Sequence, residues 1–280
     1  MSHTVILSSV TFVYLLSFIL YLVGMVRVRD FWGRVASGTS LAGFLAHGVA
    51  LLMRWKSSYD LGMGHPPLAN FYESLIFFAW AILLIHLLIE WRTKSRSLGV
   101  FVLPVAFLAM AYASLAPGVS NRIQPLIPAL QSNWLTVHVM TCFLAYACFT
   151  MAFALGLMHL IRGRGQKGGG TEGGFLRLIP GLDAIEELLH QNVILGFVLL
   201  TLGIMTGSIW AHFAWGSYWS WDPKETWSLI TWIVYALLLH ARSVRGWRGR
   251  RMAVLALVGF ACVIFTYLGV NYLNSLHSYF

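Results

Sequence analysis

Charge is scarce in this chain. Asp, Glu, Lys and Arg make up 10% of the 280 residues and hydrophobic residues 58%, with a mean hydropathy of +0.72. A soluble domain carries about a quarter charged residues, so an ordinary water-soluble fold is excluded. Cysteine is scarce too. Cys142, Cys148 and Cys262 all fall inside apolar runs, and no Cys-x-x-Cys pair occurs, which leaves no standard thiol-exchange motif. There is no internal repeat and no soluble domain. The net charge of +9 has no basic patch on a soluble module to sit on, so a nucleic-acid partner is not indicated.

What the chain has in quantity is long apolar runs. Eight of them, at about 5–26, 38–55, 70–91, 99–116, 134–161, 191–213, 227–243 and 252–272, approach the roughly 20 residues a helix needs to cross a bilayer. An open sheet would strand backbone groups in lipid, so the runs are predicted as helices. The expected fold is an all-α polytopic membrane protein with about eight transmembrane helices, residues 1–280 forming one integral membrane domain. The first run has neither a basic leader nor a small-residue cleavage site and reads as a retained span.

Basic residues set the expected orientation. Alternate loops hold fifteen of the nineteen, including Arg242, Arg245, Arg248, Arg250 and Arg251, while the opposite loops hold Arg54, Lys56, Arg122 and Lys224. Both termini are therefore expected on the non-cytoplasmic side. A Gly-rich stretch at about 162–174 reads as a flexible cytoplasmic linker. After it, Leu178, Leu182, Ile185 and Leu189 recur at helical spacing, which predicts a short interfacial helix over 175–190 ahead of span six.

Residues 215–227 carry the strongest signal. They read Trp-Gly-Ser-Tyr-Trp-Ser-Trp-Asp-Pro-Lys-Glu-Thr-Trp, four indoles in thirteen residues, on the expected outer side. Tryptophan gathers at membrane interfaces in any case, but belt residues are spread among helix ends, whereas Trp210, Trp215, Trp219, Trp221, Trp227 and Trp232 surround one loop. Such a shelf suits a large, flat, apolar ligand with a polar edge.

Ten histidines are the other chemical resource. His138 opens span five and His277 follows span eight, both at the depth of the loop. Two imidazoles beside an aromatic shelf are the parts needed to sandwich a haem and ligate its iron. His240 lies 13 residues after Trp227, about 20 Å deeper at 1.5 Å per residue, so it belongs to a separate inner station if it binds haem. No Cys-x-x-Cys-His is present, so the chain does not carry covalent haem itself. His47 and His86 suit hydrogen bonds between helices, and His159 and His212 have no assigned role. Asn70 is placed to cap span three and Glu73 to complement its dipole, or else Glu73 helps close the outer site. Asp222 either caps span seven, with Pro223 in the first turn, or orients a ligand histidine. Gly203 and Gly207 make a small-residue face for close packing.

Trp215–Trp227, continued by Ser-Leu-Ile-Thr-Trp232 and Leu239-His240-Ala-Arg242, resembles the WWD segment of the haem-handling cytochrome c assembly proteins. Gly64–Leu75, Gly196–Gly203 and the C-terminal Gly269–Tyr279 resemble the CcsA branch of system II (ResC, also called CcsB in some bacteria). The resemblance covers most of residues 60–280. It implies a subunit that, with a ResB/Ccs1-type partner, moves haem b to the outer face for attachment to the Cys-x-x-Cys-His of apocytochrome c. It further implies that His138 and His277 hold the outer iron and His240 the inner one, whose companion ligand comes from the partner. Trp215, Trp219, Trp221 and Asp222 fall in the segment implied to hold the macrocycle. The setting would be a bacterial cytoplasmic membrane, or a thylakoid membrane in a plastid. No nucleophile from this chain is required, so whether it counts as an enzyme depends on definition. Two rivals remain at this point. A b-type electron carrier would want histidine pairs 13–14 residues apart on one helix, which no span has. A cofactor-free transporter or scaffold would bind no haem at all.

Overall fold

Helices form where the apolar runs predict them. The structure, a computed structural model, describes residues 2–126, 128–167 and 174–273. Within these it holds eight α-helices: α1 His3–Arg27, α2 Asp30–Asp60, α3 Phe71–Thr93, α4 Gly99–Leu115, α5 Asn133–Lys167, α6 Leu182–Trp215, α7 Pro223–Ser243 and α8 Arg250–Tyr267. Six of them (α1, α2, α3, α5, α6 and α8) are long and apolar enough to cross a membrane, and the chain is an all-helical polytopic membrane protein. Helix α4 is apolar but only 17 residues long, about 26 Å against a hydrocarbon core of about 30 Å. Helix α7 carries Lys224, Glu225, His240 and Arg242 within its 21 residues, which dilutes its apolar content.

Helix α5 is the hub, packing on α3, α6 and α8, while α1 pairs with α2 and α4. Polar contacts deep in the bundle pin helix to helix. Tyr14 Oη meets His47 Nδ1 at 2.9 Å, and Tyr21 donates to Glu90 Oε2 at 2.6 Å. His86 Nε2 lies 3.4 Å from both the Tyr21 hydroxyl and Glu90. Both histidines thus bridge helices, as expected. Arg54 and Glu73, each with 1% side-chain exposure, form an ion pair at 2.8 Å between α2 and α3.

The helices alternate in direction. The starts of α1, α3, α5 and α7 share one end with the finishes of α2, α6 and α8, as the contacts of His3, Arg54 and Glu73 and the cavity described below require. The opposite end holds the finish of α5, the start of α6 and the finish of α7, joined through His159–Glu186 at 3.4 Å and Arg242–Glu186 at 3.9 Å.

The α5–α6 connection differs from its expected form. Helix α5 continues through 162–167, and residues 168–173 lie outside the described set. A 3-10 turn at Gly174–Leu178 follows, and α6 then runs unbroken from Leu182 to Trp215 instead of starting afresh near 191. The buried positions explain this. Ile185, Leu189, Val193, Gly196, Leu200 and Gly203 continue one stripe at helical spacing, and Pro180-Gly181 stands before it, so the interfacial stripe is the first part of the span.

Candidate functional site

At the end of the bundle bearing the tryptophan loop, five helices open around a cavity of about 410 Å³, within the range of small-molecule sites. Its walls come from the starts of α3, α5 and α7 and the finishes of α6 and α8, with the loops before α3 and α5 above them. His138, Cys142 and Tyr146 line it from α5. Gly207, Ser208, Trp210 and Trp215 line it from α6, Tyr218 and Trp219 from the loop, Lys224 and Glu225 from α7, and Tyr267 from α8.

His138 is held in a defined tautomer. Its Nδ1 lies 2.7 Å from the carbonyl oxygen of Gly203. A carbonyl only accepts, so Nδ1 carries the hydrogen, and in the neutral ring the lone pair sits on Nε2. This is the arrangement that a metal-binding imidazole takes when its other nitrogen is anchored to backbone. The ring also stacks on Trp210, with centroids 6.3 Å apart and planes at 13°. Trp210, which is 4% exposed, meets Trp215 edge to face at 4.7 Å.

The closeness of α5 to α6 here depends on glycine. A Cβ on Gly207 would lie 2.6 Å from His138 Nδ1, and one on Gly203 2.5 Å from Cys142 Sγ. Gly207→Ala raises helix propensity yet pushes the imidazole off its anchor. With the ring read as a haem ligand, as proposed below, the expected result is normal protein level with haem retention down about 10–100-fold, the usual cost of losing a ligand's supporting partner. The ratio of Soret to protein absorbance in the purified variant checks it; an unchanged ratio would mean the anchor is dispensable.

The loop is shaped by a capping box. Asp222 accepts from the backbone N–H of Lys224 at 2.9 Å, and Glu225 Oε2 accepts from Asp222 N at 3.2 Å and Ser220 N at 2.8 Å. Pro223 follows as the first helical residue, so α7 starts firmly. Trp215 and Trp219 line the cavity, whereas Trp221 stands outside it, 69% exposed at φ 60°, with its ring edge to face against Trp219 at 5.7 Å. Burial beneath this loop lowers Lys224 to about 8, with nearby Asp222 opposing the shift.

His277 is outside the described residues; Tyr267, ten positions before it, lines the cavity. His240 is on α7 near the opposite end of the bundle, exposed in a stripe with Ile233, Leu237 and Val244. His159 is buried against Glu186, and His212 stacks on Tyr218 at 4.3 Å. Glu73 faces Arg54 and accepts from the backbone N–H of Ala69 at 2.8 Å; it shapes the wall that Ala69 and Asn70 give to the cavity. Trp210, Tyr146, Tyr267 and Lys224 were not singled out as site residues from the sequence. Gly203, Gly207 and Trp210 share one face of α6 at i, i+4, i+7, a signal that names the surface receiving His138. Among the described residues no three His, Cys, Asp or Glu side chains converge on one point.

Comparison with known proteins gives the family. The family model for "Cytochrome C assembly protein" matches residues 68–277. Cytochrome c biogenesis protein CcsA of Porphyra purpurea is 40% identical over 88% of this chain and 87% of its own length. The proteins of the same name from Microcystis aeruginosa and Synechococcus elongatus are 40% and 39% identical, covering 88% and 98% of this chain and 87% and 96% of their own lengths. Among solved structures, one described as cytochrome c haem lyase CcmF aligns with TM-score 0.66 at 17% identity over 96% of this chain, which spans about half (51%) of that one; the likeness is one of fold. The chain belongs to the cytochrome c assembly protein family, as a CcsA-type protein of cytochrome c biogenesis.

Proposed function

We propose that this chain carries haem b through the membrane and presents it at the tryptophan-loop end of the bundle for attachment to the Cys-x-x-Cys-His of apocytochrome c, together with a ResB/Ccs1-type membrane partner. One observation carries the reading: an imidazole anchored through Nδ1 to the Gly203 carbonyl and set in an aromatic cavity. His277 would supply the second axial ligand, and the asymmetry of basic residues supports an orientation with this end outside the cytoplasm. Trp215 and Trp219 would face the macrocycle, with Trp221 and Asp222 shaping the loop that bears them.

Attachment asks little chemistry of the chain. Each apocytochrome thiol adds across a vinyl double bond of the haem, sulfur to one carbon and hydrogen to the other, with no leaving group. The chain contributes position and orientation. His240 would form the loading station. Its exposed stripe of Ile233, Leu237 and Val244 gives a partner helix an apolar surface from which to supply the companion ligand.

His240→Ala tests the route. Co-produced with the partner, the variant is expected to carry several-fold less haem than the parent, yet to bind haem added to the purified protein as the parent does. Equal haem content after co-production would remove the inner station from the route.

A further inference from the structure

We infer that His65 is a positioning residue whose protonated ring clasps the loop before α3 to the loop after α4, so that closure of the cavity wall depends on pH. It rests on the haem reading above and adds a control on how firmly the ligand is held. His65 is 3% exposed, and both of its ring nitrogens meet backbone carbonyl oxygens. Nδ1 lies 3.0 Å from that of Pro66, and Nε2 2.9 Å from that of Gln124. A carbonyl only accepts, and a neutral imidazole has one N–H to give. Both contacts are therefore hydrogen bonds only in the imidazolium. The Ser58 hydroxyl fixes the backbone beneath the ring, donating to the His65 carbonyl at 2.6 Å and accepting from the His65 N–H at 3.1 Å.

The two loops so joined are cavity wall. Leu68, Ala69 and Asn70 line it from one and Gln124 from the other. Residues 121–126 form no helix, and side-chain donors hold this stretch by its carbonyl oxygens. Arg54 donates to Asn121 at 2.8 Å, Asn70 Nδ2 to Arg122 at 3.4 Å, and His65 to Gln124. Arginine stays charged at any ordinary pH and asparagine has no charge to lose. Histidine alone of the three changes charge between about pH 5 and 8. The other charged and titratable groups on the packed elements are accounted for. Arg54 and Glu73 pair at 2.8 Å, His3 lies 3.3 Å from Arg54, and Tyr59, Lys56, Asp60 and Arg122 are exposed. None of the ion pairs among the described residues involves His65, so the two carbonyls are what its proton serves. When the ring loses that proton, one nitrogen turns a lone pair toward a carbonyl oxygen and an attraction becomes a repulsion. The clasp is closed at acid pH and opens as pH rises.

Transfer of haem from the loaded, purified protein to excess apomyoglobin, timed between about pH 5 and 8 for the parent and for His65→Gln, tests this. Glutamine does not titrate, and the ratio of the two rates cancels the titration of haem ligands that both proteins share. At the acid end the parent should release haem about tenfold or more slowly than His65→Gln, the range for a hydrogen bond to a charged group. At the alkaline end the two rates should converge. Nitrogen-15 NMR of the ring gives a readout without haem. His65 is the one histidine followed by proline, so joint labelling of His and Pro identifies its signal in the parent whether or not the variant folds. That ring should carry hydrogen on both nitrogens at acid pH and lose one over the range where the ratio falls. A ratio that stays constant with pH, or a His65 ring that is neutral throughout, would overturn the clasp and leave the haem reading standing. Absence of a histidine-ligated haem band in the parent would overturn the haem reading, and the ring signal would then decide the clasp by itself.

Discussion

His138→Ala is expected to strip the purified protein of its Soret band and to stop cytochrome c maturation while membrane insertion stays normal. The substitution removes a ring that is half-buried between α5 and α6, anchored through Nδ1 to Gly203 at 2.7 Å and stacked on Trp210. It leaves the backbone, the glycine face and the indoles in place, so the helix pair keeps its packing. Loss of a supporting partner alone costs a metal site about 10–100-fold in affinity, and loss of the ligand itself should exceed that. The vacated space matches the lost ring, so imidazole added to the buffer should restore a ligated spectrum. Cys142→Ala is the control. Its sulfur lies 3.7 Å from His138 Nδ1, the protonated side of the ring, so haem content should persist. A His138→Ala protein with an unchanged band would end the assignment of the cavity as the haem site.

What the sequence reveals of this molecule follows the range of the interactions involved. The caps at Asn70 and at Asp222–Pro223 were legible because each is local: Asn70 accepts from Glu73 N three residues on, and the Asp222 box closes within four residues. His47 and His86 were legible in kind, as buried imidazoles needing partners, but not in detail, since Tyr14 and Tyr21 lie 33 and 65 residues away in sequence. The start of α6 was misplaced because Asp183, Glu186 and Glu187 lower the local hydropathy. Those acids face Arg242, His159 and the α7–α8 loop, so the helix continues through them.

The same reasoning explains what was visible of the site. His138 and the indoles around the loop, Trp210 among them, stood out by residue type at one depth, whereas Lys224 counted only as a loop charge. Only the folded arrangement brings the Gly203–Gly207–Trp210 face of α6 against His138, or sets Lys224 into the cavity. Arg54 was read as a loop charge because the hydropathy of span two fades near residue 55. In the fold α2 continues to Asp60, since the positive charge is matched inside the bundle.

That match predicts the largest effect on stability. Arg54→Met leaves the Glu73 carboxylate, with 1% side-chain exposure, buried without its counter-charge, at a cost of about 3–5 kcal/mol. Whole domains are stable by only about 5–15 kcal/mol, so the variant should be nearly absent from membranes, with thermal unfolding in detergent moved sharply down. Adding Glu73→Leu removes the stranded charge and should recover much of the loss, because an apolar pair often replaces a buried ion pair at little net cost. Recovery should stop short of the parent. Arg54 also donates to the Asn121 carbonyl at 2.8 Å, and Glu73 accepts from Ala69 N at 2.8 Å, so the double variant orphans two backbone groups at about 1–3 kcal/mol each where they are buried. Those two contacts tie down the loops before α3 and after α4, which give Ala69, Asn70 and Gln124 to the cavity wall. The double variant should therefore regain abundance more fully than haem content. Equal stability of Arg54→Met and the parent would mean that Glu73 is neutral or hydrated in the membrane, and the pair would then hold neither the fold nor the wall.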